Sequence, residues 1–298
     1  MRWLLYGSRG WIGGQLMSIL GTMGENVIEA TSRADDYSSV YHEITSLRPD
    51  RVVSTIGRTS GPSCSNIDYL EQPGKLVENL RDNLQGPINL ATVCQQLDLH
   101  FTYLGTGCIY EFNEQHPMYG WERCGFTEND PPNFTGSQYS MVKGVTDQLI
   151  RQYTTTLNVR IRMPFSAEMH PRNFVTKITQ YRKVISIPNS MTVLPELLPI
   201  MIDMASRQIV GTVNLTNPGA ITHGEILEMY RQYIDPNFTY EIMNLSELPN
   251  YTVGRRSNNY LDTTKLQSYY PQVKPIQESI RDLFCSFKTQ NYIRYYTI

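Results

Sequence analysis

Tyr139 and Lys143 stand four residues apart, a spacing that puts both side chains on one face of a helix. An ammonium beside a phenol eases the phenol's loss of its proton, and the same amine can reach a ribose hydroxyl. A phenol tuned in this way can protonate a carbonyl oxygen while hydride arrives at the carbon. Far upstream, Gly7-Ser-Arg-Gly-Trp-Ile-Gly13 is a glycine-rich turn able to hold the dinucleotide from which such a hydride comes. The two together point to oxidoreductase chemistry.

The residues around the turn supply the elements it needs. Arg2–Tyr6 is a short apolar run, and from Trp11 to Met23 apolar residues recur at Trp11, Ile12, Leu16, Ile19, Leu20 and Met23, a helical repeat. In a strand, turn and helix of this order, Gly7 permits the sharp turn and Gly10 lets backbone approach a pyrophosphate. Gly13 lets helix and strand pack closely. Ser8, Arg9, Trp11 and Ile12 complete the turn, and the helix N-terminus offers free N–H groups to anionic oxygens. The spacing is GxxGxxG rather than GxGxxG. In isolation it is a weak signal, strengthened here by its place in an α/β-patterned chain. The second strand, read as Val27–Arg33, carries no acid at its C-terminal end, where an NAD-type site places one, and has Arg33 instead. Glu29 falls before that end. Arg33, with Arg9 in the turn, suits a 2′-phosphate, so NADPH is the expected cofactor and NADH the less favoured one.

The alternation continues along the chain. Asp50–Ile56 reads as a strand ended by Gly57, Leu76–Leu97 as a long helical stretch, and Phe101–Gly105 as a strand. Ser137–Tyr153 is the helix of the Tyr/Lys pair, and Asn158–Arg162 is a strand stopped by Pro164. Residues 57–74 and 111–135 are long loops at the strand ends, where such sheets bind ligands. Beyond Pro164 the rhythm changes, marked by Pro188, Pro195, Pro199 and Pro218, although a later strand at Thr212–Thr216 is expected to rejoin the first sheet. The expected fold class is α/β: a doubly wound Rossmann-type parallel sheet with a smaller C-terminal substrate-binding lobe. Residues 1–165 would form the dinucleotide-binding domain with the catalytic pair, and residues 166–298 mainly the lobe.

A chain of 298 residues with 40% hydrophobic content can bury one large core and a smaller lobe. Its net charge of −2 gives no electrostatic reason to bind nucleic acid or a membrane surface. Without a long apolar run or a charged-then-apolar leader, a soluble cytoplasmic protein is expected. The five cysteines, Cys64, Cys94, Cys108, Cys124 and Cys285, are odd in number and lack metal-ligand spacing, which suits a reducing compartment and argues against a structural zinc. His116, His170 and His223 have no partner at informative spacing and read as surface or turn residues. Trp11 and Trp121 read as packing residues.

A set of longer motifs carries a resemblance: Gly7-xx-Gly10-Trp-Ile-Gly13-Gly14, Thr106-Gly-Cys-Ile-Tyr110, Asn133-Phe-Thr-Gly-Ser137, Tyr139-xxx-Lys143, Arg172-Asn-Phe-Val-Thr-Lys177, Ile187-Pro-Asn-Ser-Met191, Thr216-Asn-Pro-Gly219 and Arg256-Ser-Asn-Asn259. Over nearly its whole length the chain resembles the plant-type bifunctional nucleotide-rhamnose synthases, epimerase-reductases of the extended short-chain dehydrogenase/reductase class. One departure is Ser54-Thr-Ile-Gly57, where that family has Asn-Ala-Ala-Gly. The resemblance implies conversion of UDP-4-keto-6-deoxy-glucose, or its dTDP analogue, to the NDP-L-rhamnose. C3 and C5 are inverted and C4 is then reduced with NADPH. An upstream 4,6-dehydratase supplies the keto sugar. It further implies that Thr106 hydrogen-bonds the substrate carbonyl, Tyr139 protonates it, Lys143 tunes Tyr139 and holds the ribose, and Cys108 and Lys177 move the protons of epimerisation.

For the nucleotide sugar, Arg256 is the best candidate for a bidentate diphosphate clamp. Asn173 would be a sugar or phosphate donor, and Asn189 and Ser190 could line the pocket. Arg172 and Arg255 are expected to face solvent. The helices at 76–97 and 137–153 could form the four-helix homodimer seam common in this class. Three alternatives stand beside this reading. They are a monofunctional 4-keto reductase that tolerates loss of Cys108 and Lys177, a non-catalytic NADPH sensor, and a 4,6-dehydratase. The dehydratase would carry an Asp-Glu pair where this chain has Gly107-Cys108.

Overall fold

The computed structural model describes residues 1–118, 120 and 124–295, so that Trp121 lies outside the described residues. β1 (Arg2–Tyr6) buries Trp3, Leu4, Leu5 and Tyr6, the pattern of a strand covered on both faces. There follow α1 (Trp11–Thr22), β2 (Asn26–Glu29), α2 (Tyr37–Leu47) and β3 (Arg51–Ser54). The long helical stretch is α3 (Leu76–Leu80), a π-helical turn at Arg81–Gln85, and α4 (Gly86–Gln96), after which come β4 (Phe101–Thr106), α5 (Gln138–Ile150) and β5 (Thr156–Ile161). The remainder comprises β6 (Pro164–Phe165), α6 (Phe174–Ile178), β7 (Lys183–Val184), β8 (Thr192–Val193), α7 (Leu194–Ser206), β9 (Gly211–Asn214), α8 (His223–Tyr233), β10 (Glu241–Ile242), α9 (Thr264–Tyr269) and α10 (Ile276–Tyr295).

Six parallel strands form one sheet in the order β2-β1-β3-β4-β5-β9. The direction of winding reverses between β1 and β3, and the crevice at that reversal is where a doubly wound sheet takes its ligand. Trp3 and Leu5 pack on one face against Leu16, Leu20 and the buried side of α7. Leu4, Tyr6, Phe101 and Tyr103 pack on the other against α2 and α4. The expected return of a late strand is β9, beside β5, and α7 returns with it. Elsewhere β6 pairs with β8 and β7 with β10, around a separate core that includes Phe165, Val175, Ile178, Ile226, Ile280 and Phe284.

Two elements differ from their sequence expectation. The second strand stops at Glu29, because after Ala30 the backbone N–H groups of Thr31 and Ser32 turn to the carboxylate of Glu43. The strand end is therefore acidic, and Arg33 lies past it. The helix at 76–97 is interrupted by its π turn, which sets Asn83 against Arg58: Asn83 Oδ1 accepts the Arg58 N–H at 2.9 Å and Nδ2 donates to the Arg58 carbonyl at 2.9 Å. That clasp holds the loop leaving β3 beside the crevice.

Candidate active site

The crevice opens into a cavity of about 1110 Å³ that runs from the glycine turn to the C-terminal lobe. Gly7 has φ 85°, and a Cβ there would stand 2.7 Å from Thr55 Oγ1. A Cβ on Gly13 would stand 2.1 Å from the Gly7 carbonyl oxygen, so only glycine lets α1 come this close to the turn. Gly10 caps α1 in an extended conformation without any side-chain cap bond. The first-turn N–H groups thus stay available to an anion. These features fit the pyrophosphate of a dinucleotide. Arg9 and Trp11 are on the cavity wall, and the indole stacks on His170 with centroids 5.4 Å apart. Ser8 donates from Oγ to Glu29 at 2.8 Å. Arg33 is exposed, paired with Asp35 at 2.7 Å, and off the cavity wall.

The reacting groups meet where β4 ends and α5 begins. Thr106 closes β4, and its Oγ1 accepts the Cys108 N–H at 3.1 Å. Ser137 caps α5 by accepting the Ser140 N–H at 3.1 Å, which seats Tyr139 in the first turn. Tyr139 is buried against Tyr69 and Leu70, with Cys64 and Cys108 packed beside them. Burial, then the nearby Cys108, push its phenol well above the ordinary range, and a hydrogen bond with Thr106 offsets part of this. The phenol is consequently a proton donor at neutral pH. Lys143 shares that helix face and is 3% exposed. Burial brings its amine down to about 8, against the raising influence of Asp147 and Cys108. Its Nζ donates to the hydroxyl of Tyr103 and sits 4.5 Å over that ring, so its hydrogen bond runs to β4 rather than to Tyr139.

Lys177 reaches the same cavity from the last turn of α6. Its Nζ donates to the Ser65 carbonyl at 3.4 Å, and burial, with Arg172 next, lowers its pKa. Thr106, Cys108, Tyr139, Lys143 and Lys177 all line this cavity. A carbonyl placed there would meet a proton donor, a hydroxyl and two groups able to exchange protons.

A family model described as the NAD dependent epimerase/dehydratase family matches residues 3–184. The chain belongs to this family. A crystal structure of a UDP-rhamnose synthase from Acanthamoeba polyphaga mimivirus superposes with a TM-score of 0.92 at 51% identity, over 96% of this chain and 99% of that one. A bifunctional dTDP-4-dehydrorhamnose 3,5-epimerase/dTDP-4-dehydrorhamnose reductase of Arabidopsis thaliana is 44% identical over 93% of this chain and 90% of its own length. A trifunctional Arabidopsis protein, whose name adds UDP-glucose 4,6-dehydratase to the epimerase and reductase, is 43% identical over 94% of this chain, which spans 41% of that protein. The resemblance to plant-type nucleotide-rhamnose synthases is thereby borne out.

Within this epimerase/dehydratase framework, three residues expected to meet substrate stand away from the cavity wall. Asn173 is fully buried as the N-cap of α6; its Oδ1 accepts the Val175 N–H and its Nδ2 donates to the Ser166 and Glu168 carbonyls at 2.7 Å each. Asn189 accepts from Arg162 and the Asn259 N–H while donating to Ile187 and Asn258. Ser190 accepts the Leu261 N–H at 2.8 Å. Their polar groups are engaged within the protein, with backbone and, for Asn189, also with the Arg162 and Asn258 side chains. Arg256 does line the cavity, but its fork is engaged: Nη1 and Nη2 meet the two carboxylate oxygens of Asp68 at 2.9 and 2.7 Å. Despite the desolvation that opposes it, that guanidinium and the Gly254 N–H hold the Asp68 carboxyl below its usual range. Arg255 faces solvent, paired with Glu111, whereas Arg172 reaches over the cavity to Thr59 Oγ1 at 3.2 Å.

Sequence reasoning passed over Tyr103 and Arg162, and it read His223 as a surface or turn residue, which its burial in α8 corrects. His223 is a buried residue in the first turn of α8 and lines the cavity, and among the described residues its Nε2 has no hydrogen-bond partner. Burial, then Arg162, bring its imidazole down to about 4. Arg162 did carry a signal, because Arg160 and Arg162 alternate with Val159 and Ile161 along an inner strand and its end, where charged residues are unusual.

Proposed function

We propose that this protein is a bifunctional 3,5-epimerase/4-reductase that converts UDP-4-keto-6-deoxy-D-glucose, or the dTDP analogue, to the corresponding NDP-L-rhamnose. The observation that supports this reading is that Thr106, Tyr139, Lys143, Cys108 and Lys177 line the same cavity as the glycine cradle. When bound, NADPH supplies the hydride that reduces C4. Gly7, Gly10, Gly13 and the first turn of α1 hold its pyrophosphate, and Lys143 is placed for the nicotinamide ribose.

The chain's own groups set the order of events. A C–H beside a ketone is acidic only while an enolate oxygen can form and be stabilised. Thr106 and Tyr139 hydrogen-bond that oxygen, and Cys108 and Lys177 take and return protons at the neighbouring carbons. Once C4 carries a hydroxyl, C3 and C5 lose their acidity. Reduction is therefore last, with Tyr139 giving its proton to the C4 oxygen. A separate 4,6-dehydratase provides the keto sugar.

Incubation with UDP-4-keto-6-deoxy-glucose and NADPH, with the product identified by NMR, tests the reading. L-rhamnose stereochemistry supports it; a 6-deoxy-D-hexose would leave a reductase without inversion. In deuterated water without NADPH, the enzyme is expected to place deuterium at C3 and C5. Residues 1–165 would serve mainly the cofactor and the catalytic wall, and residues 166–298 mainly the nucleotide sugar. The assembly we propose is a homodimer formed through α3 and α5.

A further inference from the structure

Arg160 and Arg162 alternate along one chain segment and are both buried, yet they are neutralised differently. Arg160 meets the Asp147 carboxylate through Nε at 2.9 Å and Nη2 at 2.7 Å. Arg162 is 1% exposed and, among the described residues, has no carboxylate within ion-pairing distance. Its partners are neutral: the Gly107 carbonyl at 3.3 Å, the Ser257 hydroxyl at 3.0 Å and carbonyl at 2.8 Å, and the Asn189 amide oxygen. Among the described residues its Nε has no hydrogen-bond partner. A buried charge without a counter-charge costs several kcal/mol and persists where an anion will form beside it.

One group beside this guanidinium can become that anion. Cys108 Sγ lies 3.9 Å from Arg162 Nη1. We propose that Arg162 is the counter-charge of a Cys108 thiolate during epimerisation, a positioning residue that acts through the cysteine. This rests on the epimerase reading above. The C–H bond next to the ketone breaks, its proton joins the sulfur, and its electron pair moves onto the carbonyl oxygen as an enolate. A proton delivered from the opposite face re-forms the C–H bond, and no oxidant or reductant is consumed.

Lys143 is a second cation whose charge reaches Cys108, but Arg162 is the one hydrogen-bonded to its sulfur, and the other groups nearby do not supply that contact. Tyr139 on α5 is a protonated phenol, Lys143 commits its hydrogen bond to Tyr103, and the Tyr69 hydroxyl donates to Glu78 at 2.9 Å. Next to Arg162, His223 stays uncharged, which avoids a further cation there.

The test is peptide-resolved alkylation by iodoacetamide, followed by mass spectrometry across pH. In the wild type at neutral pH, Cys108 should react faster than the equally half-buried Cys124, each rate normalised to its plateau in alkali; the reverse order overturns the proposal. Arg162→Met should slow Cys108 roughly tenfold at neutral pH, with recovery as the pH rises, whereas Arg162→Lys should stay within about threefold of the wild type. Equal slowing in both variants marks a purely structural role, and no slowing in either removes the charge from the mechanism; both overturn the proposal. Should Arg162→Met fail to fold, the wild-type order and the Arg162→Lys rate decide. Deuterium exchange into the keto sugar by the wild type is measured alongside. Its absence defeats the epimerase reading alone, while exchange with unaltered alkylation in the variants defeats the role of Arg162 alone.

Discussion

A phenol packed among Tyr69, Leu70 and Cys108 holds its proton firmly, and that is what the last step at C4 requires of Tyr139. Tyr139→Phe removes the donor and should lower reduction by about 10²–10⁴-fold, read as NADPH consumption. The role proposed for Lys143 at the nicotinamide ribose carries a pH dependence. With its amine brought down to about 8 by burial, the cation is present below that pH and is lost as the pH rises through it. The reduction rate should accordingly fall through about pH 8, and a flat profile across this range would remove the charge of Lys143 from the step. Glu29, bonded to Ser8 of the glycine turn, occupies the end of β2 where a carboxylate favours an unphosphorylated ribose. NADPH should still be preferred, since Arg9 is on the cavity wall. Glu29→Ala should raise the ratio of kcat/KM for NADPH over NADH, whereas Arg9→Ala should lower it, both measured by turnover with each cofactor.

The elements explain why some of this was legible and some was not. Periodicity alone outlined strand, turn and helix at residues 2–23, because apolar spacing and glycine placement are local properties. The Tyr139/Lys143 face was legible for the same reason. Arg162 and His223 were not, since one follows β5 directly and the other belongs to α8, and only the folded chain brings them together. The end of β2 was misplaced because Glu43, on α2, captures the backbone that would have extended it. Asn173 and Asn189 read as ligand donors because an amide side chain looks the same whether it meets a sugar or caps a backbone. The helix that carries Tyr139 depends on one contact of this long-range type. Asp147 on α5 accepts from Arg160 on β5, and from Asn158 at 2.7 Å, so it fixes the helix to the sheet. Asp147→Ala should cost about 3–5 kcal/mol in urea unfolding, because it strands a buried guanidinium. A loss below about 1 kcal/mol would mean that the pair does not anchor α5.

At the scale of the whole molecule, α3 and α5 present apolar side chains that the described fold leaves uncovered. Met141, Val145 and Leu149 follow one another at intervals of four on α5, between 43% and 46% exposed, and on α3 Val77 is 70% exposed with Leu76 and Leu80 beside it. The two helices pack side by side, which joins these residues into one face. We read this apolar patch as an interface, in which a twofold axis would lay each helix pair against its copy. The same face lies on the outer side of the helix whose inner side carries Tyr139 and Lys143, so dimer formation would brace the catalytic helix from behind. Sedimentation velocity should therefore show a dimer, and Val145→Lys combined with Val77→Lys should give monomers. Because neither residue lines the cavity, the monomers should keep the cofactor site while losing turnover in proportion to the loosening of α5. A wild-type monomer, or a double variant that remains dimeric, would place the interface elsewhere.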